Sequence, residues 1–530
     1  MRRSLNPLKL LSLVAAVLLQ ACASLPAPVP REQVLAIPSS ANETLGRAAA
    51  SCIASPPDSS ADSSFRPLVL GGYSMDARLA LTQNAERSID LQYYLLQDDL
   101  IGHRLLRAAR DAALKGVRVR ILVDDLYTAR SSSLLVALAA YPNLQIRLFN
   151  PFAAGRRSML TRWLFGLNEF SRVNHRMHNK LFIADGAFAI AGGRNIADEY
   201  FFASNTGNFV DFDLLVCGKA VPEMQRIYDE YWNSPRVYPL ETFEHSAVSK
   251  EERMAMFEAM TSDAIHAQPV PAIPPDAEGL LGFSALSREL GQRPPKLLRG
   301  HIEVFADDPE KVTGKSEFGV DPRTVTGRLG MAMSRAEHQV VATSPYFIPR
   351  KFGMDLIAAM RKRGVRVLIM TNSLASNDEP LASAAYARYR VPLLKLGAEV
   401  YEVDTTQLKN DSLMRAELHG TVGRSHTKLV VIDGHTTFVG STNLDLRSAR
   451  LNTEFGMLVH SPELAQMVLG IAERVMSSGS FQLRLEQPGD HLRWVGKVDG
   501  SEVVYEDDPG VDAATRLKLL LFPFVGENLL

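Results

Sequence analysis

The sequence predicts an α/β protein made of two copies of one domain, and three observations carry that prediction. Residues 178–195, HNKLFIADGAFAIAGGRN, are echoed by residues 426–443, HTKLVVIDGHTTFVGSTN. His, Lys, Asp, Gly and Asn each recur after 248 residues. Each copy is preceded by a strand, helix, strand pattern: SIDLQYYLL, HRLLRAARDAALKG and VRVRILVDD in the first half, then QVVATSPYFI, MDLIAAMRKRG and VRVLIMTNS in the second. The glycines closing the two helices, Gly116 and Gly364, are again 248 residues apart, so the duplication covers a whole domain. Strand, helix, strand order implies parallel pairs with right-handed crossovers. A two-fold related, bilobed pair would bring both copies of the motif to a shared interface.

In chain order, residues 1–21 read as a secretory leader: Arg2, Arg3 and Lys9, then a short apolar run ending Leu19-Gln20-Ala21-Cys22. The run is too short to span a bilayer. The Pro-, Ser- and Ala-rich residues 22–65 read as a flexible tether. Residues 66–235 form the first predicted domain, residues 236–310 an interdomain connection packed against both halves, and residues 311–475 the second domain. Residues 476–530 form a C-terminal extension whose basic and apolar end, Arg516 to Val525, suits either a lipid surface or the protein's own. Cys52 and Cys217 are expected not to pair. Residues 153–172 place Met159, Leu160, Trp163, Leu164 and Leu167 on one helical stripe with Arg156, Arg157 and Arg162 elsewhere. That segment suits a membrane interface or a helix packed on its own domain.

The net charge of −1 and the absence of long charge runs give no electrostatic footprint for nucleic acid. With 46% hydrophobic and 22% charged residues, 530 residues suffice for two substantial cores.

The repeated motif has readable chemistry. LFIA, Asp185-Gly186 and AFAIAGG form two β runs joined by the pair that a type I′ hairpin prefers. Alternation along a strand puts His178 and Lys180 on one face, and the hairpin returns the chain so that Asn195 ends near them. Two such clusters facing each other make a site with two imidazoles. One can attack phosphorus while the other protonates the leaving oxygen, and Lys180, Lys428, Asn195, Asn443 and Ser441 hold the phosphate charge. Asp185 and Asp433 belong to the same pattern as candidate catalytic groups, although as first residues of their turns they also read as structural. A zinc site is disfavoured by Lys two residues after each His and by the lack of a second ligand at suitable spacing.

The pattern HxKxxxxD followed by a Gly-[Gly/Ser]-x-Asn cluster, present twice, resembles the phospholipase D superfamily. RMHNKLFIADG, GGRNIADEYF, LFNPF, TNSLASND and LNTEFG are similar to bacterial cardiolipin synthases of the C type, from about residue 66 to the end. The resemblance implies two phospholipase D-like domains and transfer of a phosphatidyl unit to the headgroup hydroxyl of phosphatidylglycerol, with no cofactor or metal. A carboxylate on the strand after each Asn cluster would orient its histidine. Asp211 is matched to His178, with Asp213 a competitor, and Glu454 to His426. The donor would be phosphatidylglycerol or phosphatidylethanolamine, and a membrane surface is the expected partner, with no nucleic acid. The leader's end resembles a lipobox, which implies lipidation at Cys22. With Ala23 next, it implies a periplasm-facing position at the outer membrane of the cell envelope. The same residues would serve a hydrolytic phospholipase D. A nuclease or a non-enzymatic envelope scaffold are the remoter readings.

Overall fold

The computed structural model describes residues 25–27, 31–53, 61–156, 158–166, 169–267, 281–290, 292–314, 321–411, 414–415, 418, 420–486, 488–498 and 500–511. The leader with Cys22, the side chain of Cys52, Arg157, Leu167, most of the Pro-rich run after His266 and the end from Arg516 to Val525 lie outside them.

The first half contributes β1 (Ser63–Leu68), β2 (Ser88–Tyr93), β3 (Arg118–Asp124), β4 (Leu144–Phe149), β5 (Leu181–Ala184), β6 (Phe188–Gly192), β7 (Gly207–Val210), β8 (Asp213–Gly218) and β9 (Val237–Pro239). As predicted, β2, β3 and β4 run parallel, and β5 to β6 is a hairpin antiparallel to β2. Pairing places the strands in the order β9, β4, β3, β2, β5, β6, β8, β1.

The second half repeats the plan with β10 (Leu298–Ala306), β11 (Gln339–Thr343), β12 (Arg366–Asn372), β13 (Glu399–Val403), β14 (Val422–Ser425), β15 (Leu429–Ile432), β16 (Thr436–Gly440) and β17 (Phe455–His460). Its order is β10, β17, β16, β15, β11, β12, β13. Strand β1 pairs with β10, Ser63 opposite Gly300, so the two sheets join into one of 18 strands. Behind the junction the core is shared. Phe65, Trp232 and Tyr231 of the first half pack in one cluster with Phe455, Met457 and Leu464 of the second.

Three boundaries differ from the sequence reading. Residues 31–53 are not a free tether: Ala36 N–H donates to Asp229 and Val34 N–H to Asn233, both at the end of helix Ala220–Trp232, and Leu45, in helix Thr44–Ile53, is fully buried. Burying Leu45 and bonding the backbone to side chains stabilises a segment that has no periodicity of its own. Residues 480–505 are not a detached extension. β18 (Ser480–Glu486), β19 (His491–Val498) and β20 (Ser501–Tyr505) form a meander that continues the sheet from β13. The connection packs against both halves, as expected, but its last strand already belongs to the second domain. Its β9 pairs with β4, Asp263 meets His103, and Glu289 is buried against Arg66, all in the first half, while β10 belongs to the second sheet.

Among the described residues no helix is long and apolar enough to cross a membrane. Helix Met159–Phe165 is tied inward by Arg162, fully buried against Asp125 and Thr128, and just before it Arg156 bridges Asp125 and Glu244. Leu160 and Leu164 are left 79% and 47% exposed on its outer side.

Candidate active site

Each histidine sits just before a strand at the seam between the halves, and the approach to it is braced by the other half. His178 N–H donates to Thr453 O at 2.8 Å, beside a bridge between Met177 and Thr453. His426 N–H donates to Val210 O at 2.8 Å, and the preceding β14 pairs in parallel with β7. The residue after Thr453 is Glu454, and the residue after Val210 is Asp211.

The carboxylate pairing is therefore crossed. His178 Nδ1 lies 3.0 Å from Glu454 Oε2, and His426 Nδ1 lies 2.6 Å from Asp211 Oδ2. This corrects the assignment of Asp211 to His178 and Glu454 to His426. NFVDFDLLV reads as one strand, but it breaks at Asp211 and Phe212. β7 leaves the home sheet to pair with β14, and it carries Asp211 across the seam. Asp213, the competitor, is committed elsewhere. It accepts from Ser74 and Arg78 in the core of the first half.

With each Nδ1 held by a carboxylate, Nε2 is the atom each imidazole offers to the pocket, and that of His426 lies 3.3 Å from Lys428 Nζ. Burial, with the Lys180 charge adding to it, pushes the His178 imidazole down to about 4 against the pull of Glu454. Burial and Lys428 push His426 well below its ordinary range, and the two imidazoles are close enough to lower it further. Burial raises Asp211. It would raise Glu454 as well, but the His178 imidazole, Lys180 and Ser441 hold that carboxyl below its ordinary value.

Lys180 and Lys428 are buried, and each donates to the carbonyl of its own histidine, at 2.7 and 2.6 Å. Burial lowers them to about 7 and about 8. A bound phosphodiester would restore their protons, so anion binding should take up protons above those values. We expect the inhibition constant of inorganic phosphate to weaken as pH rises through 7 to 9, approaching tenfold per pH unit for each proton taken up. A flat profile would contradict this electrostatic account of the lysines.

Asn195 and Asn443 both line the pocket. Asn195 is partly engaged: its amide donates to Tyr200 at 2.9 Å and accepts from Leu95 N–H, which leaves one donor hydrogen. Among the described residues Asn443 Oδ1 is buried without a hydrogen-bond partner, so its amide can turn toward a ligand. Ser441 departs from its expected role. Its hydroxyl donates to Glu454 and accepts from Phe455 N–H, so it fixes the carboxylate instead of facing a phosphate.

Asp185 and Asp433 touch neither histidine, which corrects their place among the catalytic candidates and supports the structural reading. Both have positive φ, as do Gly186 and Gly434, giving the expected type I′ turns. Asp185 accepts from the N–H groups of Glu86, Arg87 and Ser88, and Asp433 from those of Glu337, His338 and Gln339. They lock the hairpin onto the start of the neighbouring strand, one strand length from the chemistry. Asp185→Ala is expected to cost about 2–4 kcal/mol of stability by denaturant unfolding, with kcat of the folded fraction unchanged within about threefold.

The catalytic pocket has a volume of about 550 Å³. Sequence reasoning missed its walls. Tyr94 stands edge-on to His178 and Tyr200 edge-on to His426, with ring centroids 5.0 Å apart in both cases. Glu199, Asp378 and Glu379 border it, faced by Arg130 and Arg447. Tyr94 could have been found as the residue following a parallel strand. Asp378 lies within TNSLASND, one of the phrases that carried the resemblance.

A duplicated α/β fold with a mirrored His-x-Lys pair at its seam defines a phospholipase D-type protein, and comparison with known proteins agrees. Residues 79–232 and 329–476 match the family described as "Cardiolipin synthase, PLD-like domain". The chain belongs to this family. It is 34% identical over 448 residues to cardiolipin synthase C of Escherichia coli (strain K12), covering 84% of this chain and 91% of the relative. A cardiolipin synthase of Listeria monocytogenes serotype 4a (strain HCC23) is 25% identical, covering 82% and 73%. Among solved structures, phosphatidylserine synthase of Haemophilus influenzae Rd KW20 superimposes with a TM-score of 0.56 at 14% identity, covering 91% of this chain and 97% of that one, which shows a shared fold.

Proposed function

We propose that this chain is a phosphatidyltransferase that makes cardiolipin from phosphatidylglycerol and a second phospholipid. One observation carries the reading: two buried imidazoles, each held through Nδ1 by a carboxylate, line one pocket, and a buried lysine is bonded to the backbone of each histidine. His178 Nε2 attacks the donor phosphorus, forming a P–N bond as the P–O bond to the headgroup breaks. His426, protonated once the anionic substrate is bound, gives its Nε2 proton to the departing alkoxide. The neutral His426 then takes the proton of the acceptor hydroxyl, whose oxygen displaces His178 and breaks the P–N bond. Lys180, Lys428 and the two asparagine amides hold the non-bridging oxygens throughout.

The acidic rim of Glu199, Asp378 and Glu379 supports an acceptor or donor headgroup that donates hydrogen bonds, either the hydroxyls of phosphatidylglycerol or the ammonium of phosphatidylethanolamine. Leu160 and Leu164 lie on a helix whose Met159 lines the pocket, which supports a mouth that faces lipid. We extend the reading to a lipid anchor at Cys22 on the periplasmic side of the outer membrane. Loss of labelled palmitate from a Cys22→Ser protein in cells would test it, and retained label would refute it.

The reaction is tested by mass spectrometry of lipids after incubation with labelled phosphatidylglycerol, with and without phosphatidylethanolamine, in EDTA. Cardiolipin is the expected product, and the released headgroup names the donor. Phosphatidic acid without cardiolipin would move the assignment to hydrolysis. Turnover of neither lipid would remove the enzymatic reading of these substrates.

A further inference from the structure

The two halves differ at one place where their shared plan predicts identity. In the first half, helices Gly71–Asn84 and Leu100–Leu114 pack with their groove filled. Phe201 is fully buried there under the Arg78 guanidinium, 5.5 Å from its ring, and Leu105 is fully buried as well. The corresponding helices of the second half are Val325–Ser334 and Arg350–Lys362. Counted at 248 residues from the helix-closing glycines and from the motif asparagines, Leu105 becomes Gly353 and Phe201 becomes Ala449. Both positions lose side-chain volume, and both line a cavity of about 460 Å³.

That cavity is suited to an apolar guest. Leu329, Met333, Phe352 and Leu356 form its walls, and Phe352 is 46% exposed. Its volume lies within the roughly 300–1,000 Å³ of small-molecule sites. It adjoins the catalytic pocket, since Ile348 and Asp445 belong to the walls of both. Arg350, Lys351 and Arg450 also border it, so the groove offers apolar walls with cations that complement a phosphate.

We propose that this groove holds one fatty-acyl chain of a phospholipid substrate whose phosphodiester lies between His178 and His426. The inference rests on the phosphatidyltransferase reading and deepens it: the second half grips lipid where the first half is solid core. An asymmetric grip gives the pseudo-symmetric site a direction, because the two histidines then meet the bound diester from defined sides. Burial of several methylenes supplies the affinity.

Two plugs test it, Ala449→Phe, which restores the residue of the first half, and Leu356→Trp. Both are compared with the parent on long-chain phosphatidylglycerol and on its dibutyryl analogue. We expect kcat/KM for the long-chain lipid to fall at least about tenfold, with the dibutyryl value held within about twofold. Equal losses on both substrates, or no loss on either, would overturn the proposal. A phosphatidylglycerol carrying a diazirine near the end of one acyl chain, irradiated in micelles with the full protein, is expected to label peptides containing Leu329 to Met333 or Phe352 to Leu356. Labelling elsewhere would also overturn it. This readout needs no turnover, so it separates failure of the groove from failure of the phosphatidyltransferase reading: label in the groove without cardiolipin would refute only the latter.

Discussion

His178→Ala and His426→Ala proteins are each expected to lose cardiolipin formation by at least about 10³-fold, with folding retained. The attacking group has no substitute at position 178, because the next nitrogen, on Lys180, is bonded to the carbonyl of His178 and turned from the line of attack. Loss at position 426 leaves the alkoxide without a proton and the acceptor without a base. The double variant is expected to be little worse than either single one, since the two imidazoles act in one sequence. Lipid mass spectrometry on all three proteins checks this. Activity within tenfold of the parent in either single variant would contradict the two-histidine account.

Glu454→Gln and Asp211→Asn are each expected to lower kcat by about 10²–10⁴-fold, because an amide can hold the wrong tautomer of the imidazole. The crossed geometry makes the two losses differ in kind. Glu454 serves His178, so Glu454→Gln should slow P–N bond formation whatever the leaving group. Asp211 serves His426, so Asp211→Asn should be largely rescued in the first step by a p-nitrophenyl phosphodiester, whose leaving group needs no proton. Burst kinetics of p-nitrophenol release measure this directly. Rescue of Glu454→Gln and not of Asp211→Asn would reverse the assigned roles.

What the sequence disclosed and what it hid have physical reasons. The parallel strands, their helices, the hairpins and the duplicated His-x-Lys pair were legible because period, turn chemistry and displacement are local signals. The structure adds that the Asp-Gly turns position strands and touch neither histidine, a reading their place at the turn already suggested. The crossed carboxylates were not legible. Val210 to Asp211 leaves its own sheet for a partner more than 200 residues away, and only the docking of the halves decides that. The docked segment at residues 31–53 was hidden for a similar reason, since its backbone is satisfied by side chains of a distant helix. The C-terminal meander did leave a signal. Phe481, Leu483 and Leu485 alternate before Pro488-Gly489, and the sequence then offers Asp499-Gly500, a pair that tight turns prefer.

The consequence for function is that neither half holds a working histidine by itself. Each half supplies an imidazole and the carboxylate that orients the other half's imidazole, so chemistry exists only at the seam.

The most direct test of that claim is to trap the intermediate. Protein is mixed with a p-nitrophenyl ester of phosphatidic acid labelled in its phosphatidyl unit, a donor with no acceptor hydroxyl, quenched in base, digested and analysed for phosphohistidine peptides. The account predicts an acid-labile label on the peptide containing His178, retained when Asp211 is changed to Asn and a p-nitrophenyl donor is used, and lost with Glu454→Gln. A label on His426 would invert the roles, and its absence from both histidines under conditions of turnover would contradict covalent transfer.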